Sequence, residues 1–207
     1  MTMTSELMKQ IREVEAGNIE KDKFYDIVKE LTEREICIEN AKKTPSSNRL
    51  KLIEKWAKKI KILNPVFKKV MPYAEEENKV FFTDSHFLFV WKEIKGILPD
   101  SVKWKEEDGK IPNGKFCVET TLKNHKDAEL VTVTYGEIEA QIKMKGRKEN
   151  YMEIADSLFD VNYLELACQF FKLKHLDLHV SKMAPAWSIL DDDSVIILAP
   201  VIKRKED

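Results

Sequence analysis

Glycine is scarce in this chain of 207 residues, and none of its six glycines belongs to a Gly-rich loop that could cradle a phosphate. The sequence also has no HExxH, GxSxG or CxxC motif, so the usual signatures of zinc proteases, serine hydrolases and thiol redox proteins are missing. His175 and His179 are four residues apart on a predicted strand, where they would stand ~13 Å apart and hold no metal together. We therefore predict a protein that is not an enzyme and that needs no cofactor and no metal.

Cysteine is equally rare, and the three cysteines, Cys37, Cys117 and Cys168, are far apart in the sequence. Their odd number and wide spacing favour neither a disulfide framework nor a zinc ribbon. No run approaches the ~18 apolar residues that cross a membrane, and the N-terminus becomes charged without the apolar stretch of a signal peptide. These patterns predict a cytoplasmic protein with reduced thiols and no membrane partner.

The chain also has no large excess of positive or negative charge. Charged residues make up 34% of the chain, but 35 basic and 36 acidic residues leave a net charge of -1. The whole protein therefore has no general attraction for nucleic acid, and any DNA contact needs a local basic patch. The hydrophobic fraction of 43% is enough for a packed core, so we expect a folded protein.

The first 62 residues have the pattern of helices. Apolar residues recur at helical spacing, one glycine interrupts them, and no strand-like alternation is seen. Two or three helices are expected, and the helix after a loop at residues 43–48 has Leu50, Ile53 and Trp56 on one face and lysines on the other. We predict a helical extension over residues 1–62 and a separate α+β domain over residues 63–207.

The α+β domain is predicted from a short helix and a series of strand patterns. The short helix is expected over residues 64–71, and a longer one over residues 162–172. Strands are predicted at residues 79–83, 86–91, 116–122, 130–135, 138–144, 176–180, 186–190 and 194–201. The basic stretch 145–148 is expected to form an exposed turn, and Asp191, Asp192 and Asp193 to form a hairpin tip rather than a magnesium site. The pattern thus has two similar halves, each a short helix followed by strands.

Three stretches of the sequence resemble the bacterial DNA polymerase sliding clamp, or β clamp. Residues 159–167 (FDVNYLELA) resemble the family phrase in which Phe-Asn is followed after two residues by Tyr-Leu. Residues 80–88 (VFFTDSHFL) are similar to the family's Ala-Thr-Asp-Gly-His-Arg-Leu, and residues 196–201 (IILAPV) to its final strand, which leads into Met-Pro. The sequence departs from the family where Ser85 replaces glycine, Phe87 replaces arginine and Ala199 replaces methionine.

The resemblance implies a DNA-clamp-like fold of two βαβββ-like halves packed helix beside helix. In clamps, several such domains close a ring around duplex DNA, and this chain has the length of only one of them. Clamp partners dock short hydrophobic peptides into a pocket formed by the Thr-Asp-Gly-His-Arg-Leu and Met-Pro segments. By position, the pocket candidates in this chain are Thr83, His86, Phe87, Leu88, Pro200 and Val201.

The expected function is that of a non-enzymatic, clamp-like protein of DNA replication or metabolism, of the kind a phage or mobile element encodes. It would act as a homo-oligomer and bind a replication protein, with duplex DNA as a further candidate partner. The cations expected at such DNA are Lys58, Lys59, Lys61, Lys68, Lys69, Arg147 and Lys148.

An alternative function stays open at this point: an adaptor that binds a protein partner, without DNA, through an exposed apolar patch. Phe87, Phe89 and Trp91 are its candidate residues. Alternation places Phe87 and Phe89 on one face of their strand and Leu88 and Val90 on the other. Both faces are apolar, which predicts either burial on both sides or an interface.

Overall fold

The computed structural model of the protein describes residues 8–9, 11–14, 16–17, 20–42, 48–60, 64–73, 78–93, 98–125, 127–144 and 150–202. Its main helices are α1 (Lys21–Lys42), α2 (Arg49–Lys59), α3 (Gly114–Asn124), α4 (Tyr135–Lys143) and α5 (Val161–Phe171). Its strands are β1 (Met71–Pro72), β2 (Lys79–Thr83), β3 (Phe87–Lys92), β4 (Glu129–Thr134), β5 (Tyr151–Ile154), β6 (Ser157–Asp160), β7 (His175–Val180), β8 (Ala186–Ile189) and β9 (Val195–Leu198). None of the helices in the described part of the chain combines the length and the apolar character that crossing a bilayer requires.

Seven strands form one antiparallel sheet in the order β1-β2-β3-β9-β8-β7-β4, and β5 and β6 form a separate hairpin. Two three-stranded meanders, β1-β2-β3 and β7-β8-β9, meet where Phe87 of β3 lies opposite Leu198 of β9. Helix α2 precedes the first meander and helix α5 the second, and the rings of Trp56 on α2 and Tyr163 on α5 are 5.5 Å apart. The predicted α+β fold of two helix-and-strand halves is confirmed, and in the second half β6 supplies the strand before the helix.

The central strands are buried on both faces. Phe87, Phe89 and Trp91 of β3 belong to the cluster under α2 and α5, whereas Leu88 and Val90 belong to a second cluster on the opposite face. A strand covered by protein on both sides needs a continuous apolar run rather than an alternating one, which explains this sequence. The exposed patch of the alternative adaptor hypothesis is therefore wrong, because Phe87, Phe89 and Trp91 are only 2%, 0% and 1% exposed.

Two predicted strands are wrong, because both segments are helices. Residues 116–122 lie in α3, which begins where the Asn113 side chain accepts a hydrogen bond from the backbone N–H of Phe116 (2.9 Å). Residues 138–144 lie mostly in α4, which begins with a capping box between Thr134 and Glu137. Apolar residues four apart, such as Ile138 and Ile142, share a face both in a strand and in a helix. The capping box is therefore the sequence signal that distinguishes the helix from a strand here.

Smaller differences concern short elements. The helix expected at residues 64–71 is a 3-10 helix, Pro65–Lys68, which ends before β1 begins at Met71. The hairpin β5–β6 was not predicted, since its turn uses Ala155 and Asp156 at positive φ (47° and 59°) instead of the glycine or asparagine that marks such turns. The helix at residues 162–172 and the strands that became β2, β3, β4, β7, β8 and β9 are confirmed in position. The predicted turn at residues 145–148 lies outside the described residues.

Helix α2 is packed against the sheet although the sequence places it in the N-terminal extension. Leu50 and Ile53 are 1% and 0% exposed within the same cluster as Phe89. The Arg49 guanidinium lies 5.4 Å from the ring centre of Phe170 on α5. The boundary at residue 62 stays a prediction, and these contacts lead us to propose that the sheet domain includes α2.

Candidate functional site

The turn between β2 and β3 is held by a buried carboxylate. Asp84 is 5% exposed, and its Oδ1 accepts hydrogen bonds from the backbone N–H groups of His86 (3.0 Å) and Phe87 (3.3 Å). Its Oδ2 accepts from the hydroxyl of Tyr163 on α5 (3.0 Å) and from Nε1 of Trp56 on α2 (3.3 Å). Asp84 thus connects the turn to α2 of the first half and to α5 of the second half. Its four hydrogen-bond donors offset the cost of burying the carboxylate.

The backbone of the same turn is tight. The Thr83 hydroxyl donates to the Phe87 carbonyl and accepts from the N–H of Ser85 (3.1 Å). Ser85 has a φ of 79°, in the left-handed region that favours glycine. The turn therefore has the backbone conformation that would suit the glycine of the clamp sequence Thr-Asp-Gly-His-Arg-Leu, although Ser85 occupies this position.

The end of β9 brings the second clamp-like segment to this turn. The N–H of Ala199 donates to the carbonyl of His86 (2.7 Å), and the N–H of Val201 donates to the carbonyl of Leu158 in β6 (2.7 Å). Segments 80–88 and 196–201, over a hundred residues apart in sequence, therefore lie side by side. The predicted pocket residues come together in this way, but they differ in access to solvent.

His86 is exposed, and its ring stacks on Tyr163 with the ring centres 5.9 Å apart. Pro200 and Val201 are half-buried. Thr83, Phe87 and Leu88 are buried (5%, 2% and 7% exposed). His86, Pro200 and Val201 are thus the candidates that a partner can reach.

Burial raises the pKa of the Tyr163 hydroxyl, and the nearby charge of Asp84, the hydrogen bond to it and the charge of Asp160 raise it further. The unfolded chain therefore releases the Tyr163 proton at a lower pH than the folded chain does. The stabilising contribution of this group is complete below about pH 10, the usual pKa of tyrosine, and is lost as the pH rises above that value.

We expect the variant Tyr163→Phe to be less stable than the wild type at neutral pH, because Asp84 loses one donor, and the difference to shrink as the solution becomes strongly alkaline. Urea unfolding of both proteins at a series of pH values measures the difference. Tyr25→Phe is the matched control, since Tyr25 is 71% exposed on α1. A difference between wild type and Tyr163→Phe that stays constant up to strongly alkaline pH would contradict the assignment.

The outer face of α2 carries a row of lysines. Lys51, Lys55, Lys58 and Lys59 are exposed, and spacings of three and four residues place them along one side of the helix. The single acidic residue of α2, Glu54, is paired with the Arg34 guanidinium through two hydrogen bonds of 2.8 and 2.7 Å. Within α2, the four lysines therefore outnumber one acidic residue that already binds Arg34, while Glu165 of α5 lies beside Lys55 and Lys59.

An open depression of about 370 Å³ lies beside this row, between α2, α4 and α5. Lys51 of α2 and Lys172 at the end of α5 line it, together with the polar side chains of Asn48, Tyr135 and Gln169. Anionic groups at the helical face would meet cations from both halves of the fold here.

The predicted DNA-contacting cations are placed unequally. Lys58 and Lys59 are in the α2 row, and Lys68 is exposed on the 3-10 helix. Lys69 is engaged within the protein, because its ammonium donates to the Ser101 carbonyl (2.7 Å) and lies 3.9 Å from a carboxylate oxygen of Asp108. Lys61, Arg147 and Lys148 lie outside the described residues. The sequence prediction omitted Lys51 and Lys55, which the helical spacing from Lys58 and Lys59 could have identified.

Within the part of the chain that the structure describes, no cluster of three or more His, Cys, Asp or Glu side chains is arranged to hold a metal ion. Asp191, Asp192 and Asp193 form the exposed tip between β8 and β9, as predicted. One carboxylate oxygen of Asp192 accepts a hydrogen bond from the backbone N–H of Ser194 (3.0 Å). The acidic triplet thus has a local role in the turn.

These features define an α+β fold in which two helix-and-meander halves share one sheet. No protein-family model and no curated protein matches the sequence. Among solved structures, the chain is similar to a DnaN sliding clamp (DNA polymerase III subunit beta) of Bartonella birtlesii bound to griselimycin, with a TM-score of 0.46 and 11% identity over 67% of this chain and 59% of the clamp. It is also similar to the beta sliding clamp of C. crescentus, with a TM-score of 0.48 and 10% identity over 77% of this chain and 65% of the clamp.

Both structures belong to the family that the sequence segments resemble. The matched region spans less than two thirds of either clamp chain.

Proposed function

We propose that this chain is a non-enzymatic, clamp-like binding protein of DNA replication or metabolism, which acts as a homo-oligomer in the cytoplasm and contacts duplex DNA with the lysine row of α2. A phage or mobile-element origin belongs to the same proposal. The observation that carries the DNA contact is the exposed row Lys51, Lys55, Lys58 and Lys59 on α2, a helix whose single acidic residue, Glu54, is paired with Arg34.

The spacing of the row suits a phosphate backbone. From Lys51 to Lys59 the helix rises about 12 Å, and duplex DNA carries roughly one negative charge per 1.7 Å of its axis. About seven phosphate charges thus lie along the length of the row, enough for every lysine. Ammonium groups act as point charges and do not read base edges, so the binding is expected to be independent of sequence and sensitive to salt.

The second helix of the layer contributes less charge. On α5, the Glu165 carboxylate accepts a hydrogen bond from the Gln169 amide (2.9 Å), and Lys172 at the end of the helix lines the depression beside Lys51. The helical layer is therefore positive at α2 and close to neutral at α5, so α2 dominates the proposed contact.

The protein-binding part of the proposal concerns the turn beside β9. His86, Pro200 and Val201 are accessible enough to contact a partner, whereas Thr83, Phe87 and Leu88 are buried and hold the turn. A replication protein that docks a short apolar segment there is the expected partner.

The DNA contact is tested by replacing Lys51, Lys55, Lys58 and Lys59 together with glutamine. The log–log salt dependence of binding to a fluorescently labelled duplex is expected to flatten by about 0.9 for each lysine that contacts a phosphate. Anisotropy titrations over a range of NaCl concentrations measure this slope for the wild type and the variant.

The matched control replaces four exposed lysines of the chain segment that contains α3, which are Lys105, Lys110, Lys115 and Lys123. Both variants lose four positive charges, so a general charge effect would weaken their binding equally. Equal losses in the two variants, or a wild-type chain without salt-dependent binding, would refute the proposed DNA contact.

A further inference from the structure

The two edges of the seven-stranded sheet are unlike each other. The β1 edge has two residues, one of them Pro72, and the adjacent Val70 exchanges backbone hydrogen bonds of 2.8 Å with Val102 and Trp104. The β4 edge, Glu129–Thr134, has six residues and pairs, among the described strands, with β7 alone. Proline, shortness and a covering segment protect the first edge. The β4 edge is longer and has no proline, and no other strand of the described residues pairs with it.

The register shows which backbone groups of β4 point outward. The N–H of Tyr135 donates to the carbonyl of Lys174 (2.9 Å), in the same register that places Val133 opposite Leu176. Because hydrogen-bonded and non-hydrogen-bonded pairs alternate in an antiparallel ladder, Val131 and Val133 bond to β7. The N–H and C=O groups of the residues between them consequently point away from β7.

Those outward groups belong to Leu130, Thr132 and Thr134. The N–H of Thr134 is already used, since it donates to the Glu137 carboxylate (2.7 Å). Leu130 and Thr132 therefore present the N–H and C=O pairs that a further strand would meet. The Leu130 side chain is 59% exposed beside them.

The side chains of β4 also favour pairing. The strand reads ELVTVT, with four β-branched residues, no proline and a single charge at Glu129. Such a strand has high β propensity and lacks the lysines and bulges that natural proteins place on exposed edges. An open edge of this composition is expected to be covered by another strand in the working protein.

We propose that β4 of a second copy of this chain covers the edge about a twofold axis at Val131, which extends the sheet across both copies. This inference rests on the oligomeric part of the proposed function and specifies its interface. Opposite residues in an antiparallel pair point to the same face of the sheet. Because successive side chains of a strand alternate between the two faces, β4 can pair with itself only if opposite residues are separated by an even number of positions in the sequence. Centring at Val131 places Leu130 opposite Thr132 of the second copy, and their free groups exchange four hydrogen bonds.

The symmetry of the assembly follows from the edges. A head-to-tail ring needs two different, complementary edges on each copy, whereas an edge that pairs with itself closes with two copies. Since the β1 edge is covered, the sheet favours a twofold dimer over a ring that joins β4 to β1.

The test uses the full chain in two variants of Thr132. Thr132→Pro removes an outward N–H that does not serve the β4–β7 ladder, and Thr132→Val keeps this N–H while removing the same hydroxyl hydrogen bond to Asp177 (2.5 Å). In size-exclusion chromatography with light scattering, the wild type and Thr132→Val are expected at twice the mass of the 24.2 kDa chain and Thr132→Pro at the monomer mass. Circular dichroism of each variant shows whether it is folded.

A crosslink tests the register without proline. Opposite residues of a non-hydrogen-bonded pair have Cα atoms about 4.5 Å apart, within the range that a disulfide spans. With the exposed Cys117 replaced by serine, Val131→Cys is expected to form a reducible dimer on oxidation and Thr132→Cys to form far less.

The outcomes separate the interface from the rest of the proposal. A wild-type chain at the monomer mass overturns the β4 interface and the proposed homo-oligomer together. The proposed DNA contact does not depend on this result, because the anisotropy titrations test it separately. An oligomer that Thr132→Pro leaves intact, or equal crosslinking of both cysteine variants, overturns the β4 interface alone.

Discussion

Replacing Asp84 by alanine is expected to lower the free energy of unfolding by about 3 kcal/mol. The substitution removes the acceptor of four hydrogen bonds from a site that is 5% exposed. Trp56 Nε1 and the Tyr163 hydroxyl would lose their bonds at the joint between α2 and α5, and the backbone N–H groups of His86 and Phe87 would lose theirs in the turn. A buried donor left without a partner costs more than the bond itself contributed, which is why the expected effect is large.

Urea unfolding followed by tryptophan fluorescence measures this change. Asp26→Ala is the matched control, because Asp26 is exposed on α1 and has an ordinary helical backbone. Its effect is expected to stay within about 0.5 kcal/mol. Asp84→Asn keeps one carbonyl oxygen for the backbone donors and should lie between the two. A loss below about 1 kcal/mol for Asp84→Ala would show that the turn is held by other contacts.

Replacing Phe89 by alanine is expected to lower the free energy of unfolding by about 4 kcal/mol. Phe89 is 0% exposed at the centre of the sheet, and its ring centre lies 4.6 Å from Phe87, 5.3 Å from Phe170 and 5.5 Å from Phe171. Truncation removes apolar contacts to both β3 and α5 and leaves a cavity that the surrounding rings cannot fill without moving.

Phe116→Ala makes the same chemical change on the surface of α3, where Phe116 is 62% exposed. Its effect should stay below about 1 kcal/mol, so chemical denaturation of the two variants side by side isolates the contribution of burial. Similar, small decreases in the free energy of unfolding for both variants would mean that the β3 aromatic side chains are exposed. The adaptor hypothesis would then again have an apolar surface for a partner.

Much of the sheet could be predicted because its strands carry strong local patterns. Residues 87–91 of β3 and all of β9 are apolar, as is typical of strands that are covered on both faces. Helix α5 was predictable from the inward spacing of Leu164, Ala167 and Phe170. These segments agree with the structure because local propensity and tertiary burial favour the same conformation.

The errors arose where two periodicities agree or where a turn lacks its usual residues. Ile138 and Ile142 share one face in a helix and in a strand, and only the cap formed by Thr134 and Glu137 distinguishes the two. Ala155 and Asp156 adopt positive φ without glycine, so the hairpin they form has no sequence signal. Apolar spacing alone is degenerate in these cases, and the surrounding packing decides.

By itself, the sequence determined the α+β class, the position of most strands, the apolar character of both faces of β3 and the lysine-rich side of α2, because each depends on neighbours within a few residues. Only the tertiary structure decided that Trp56, Asp84 and Tyr163 meet at one buried carboxylate, since these side chains come from three distant segments. It also decided which sheet edge is covered and which is open. Edges depend on the order of strands, and strand order is set by long-range pairing that no local pattern encodes.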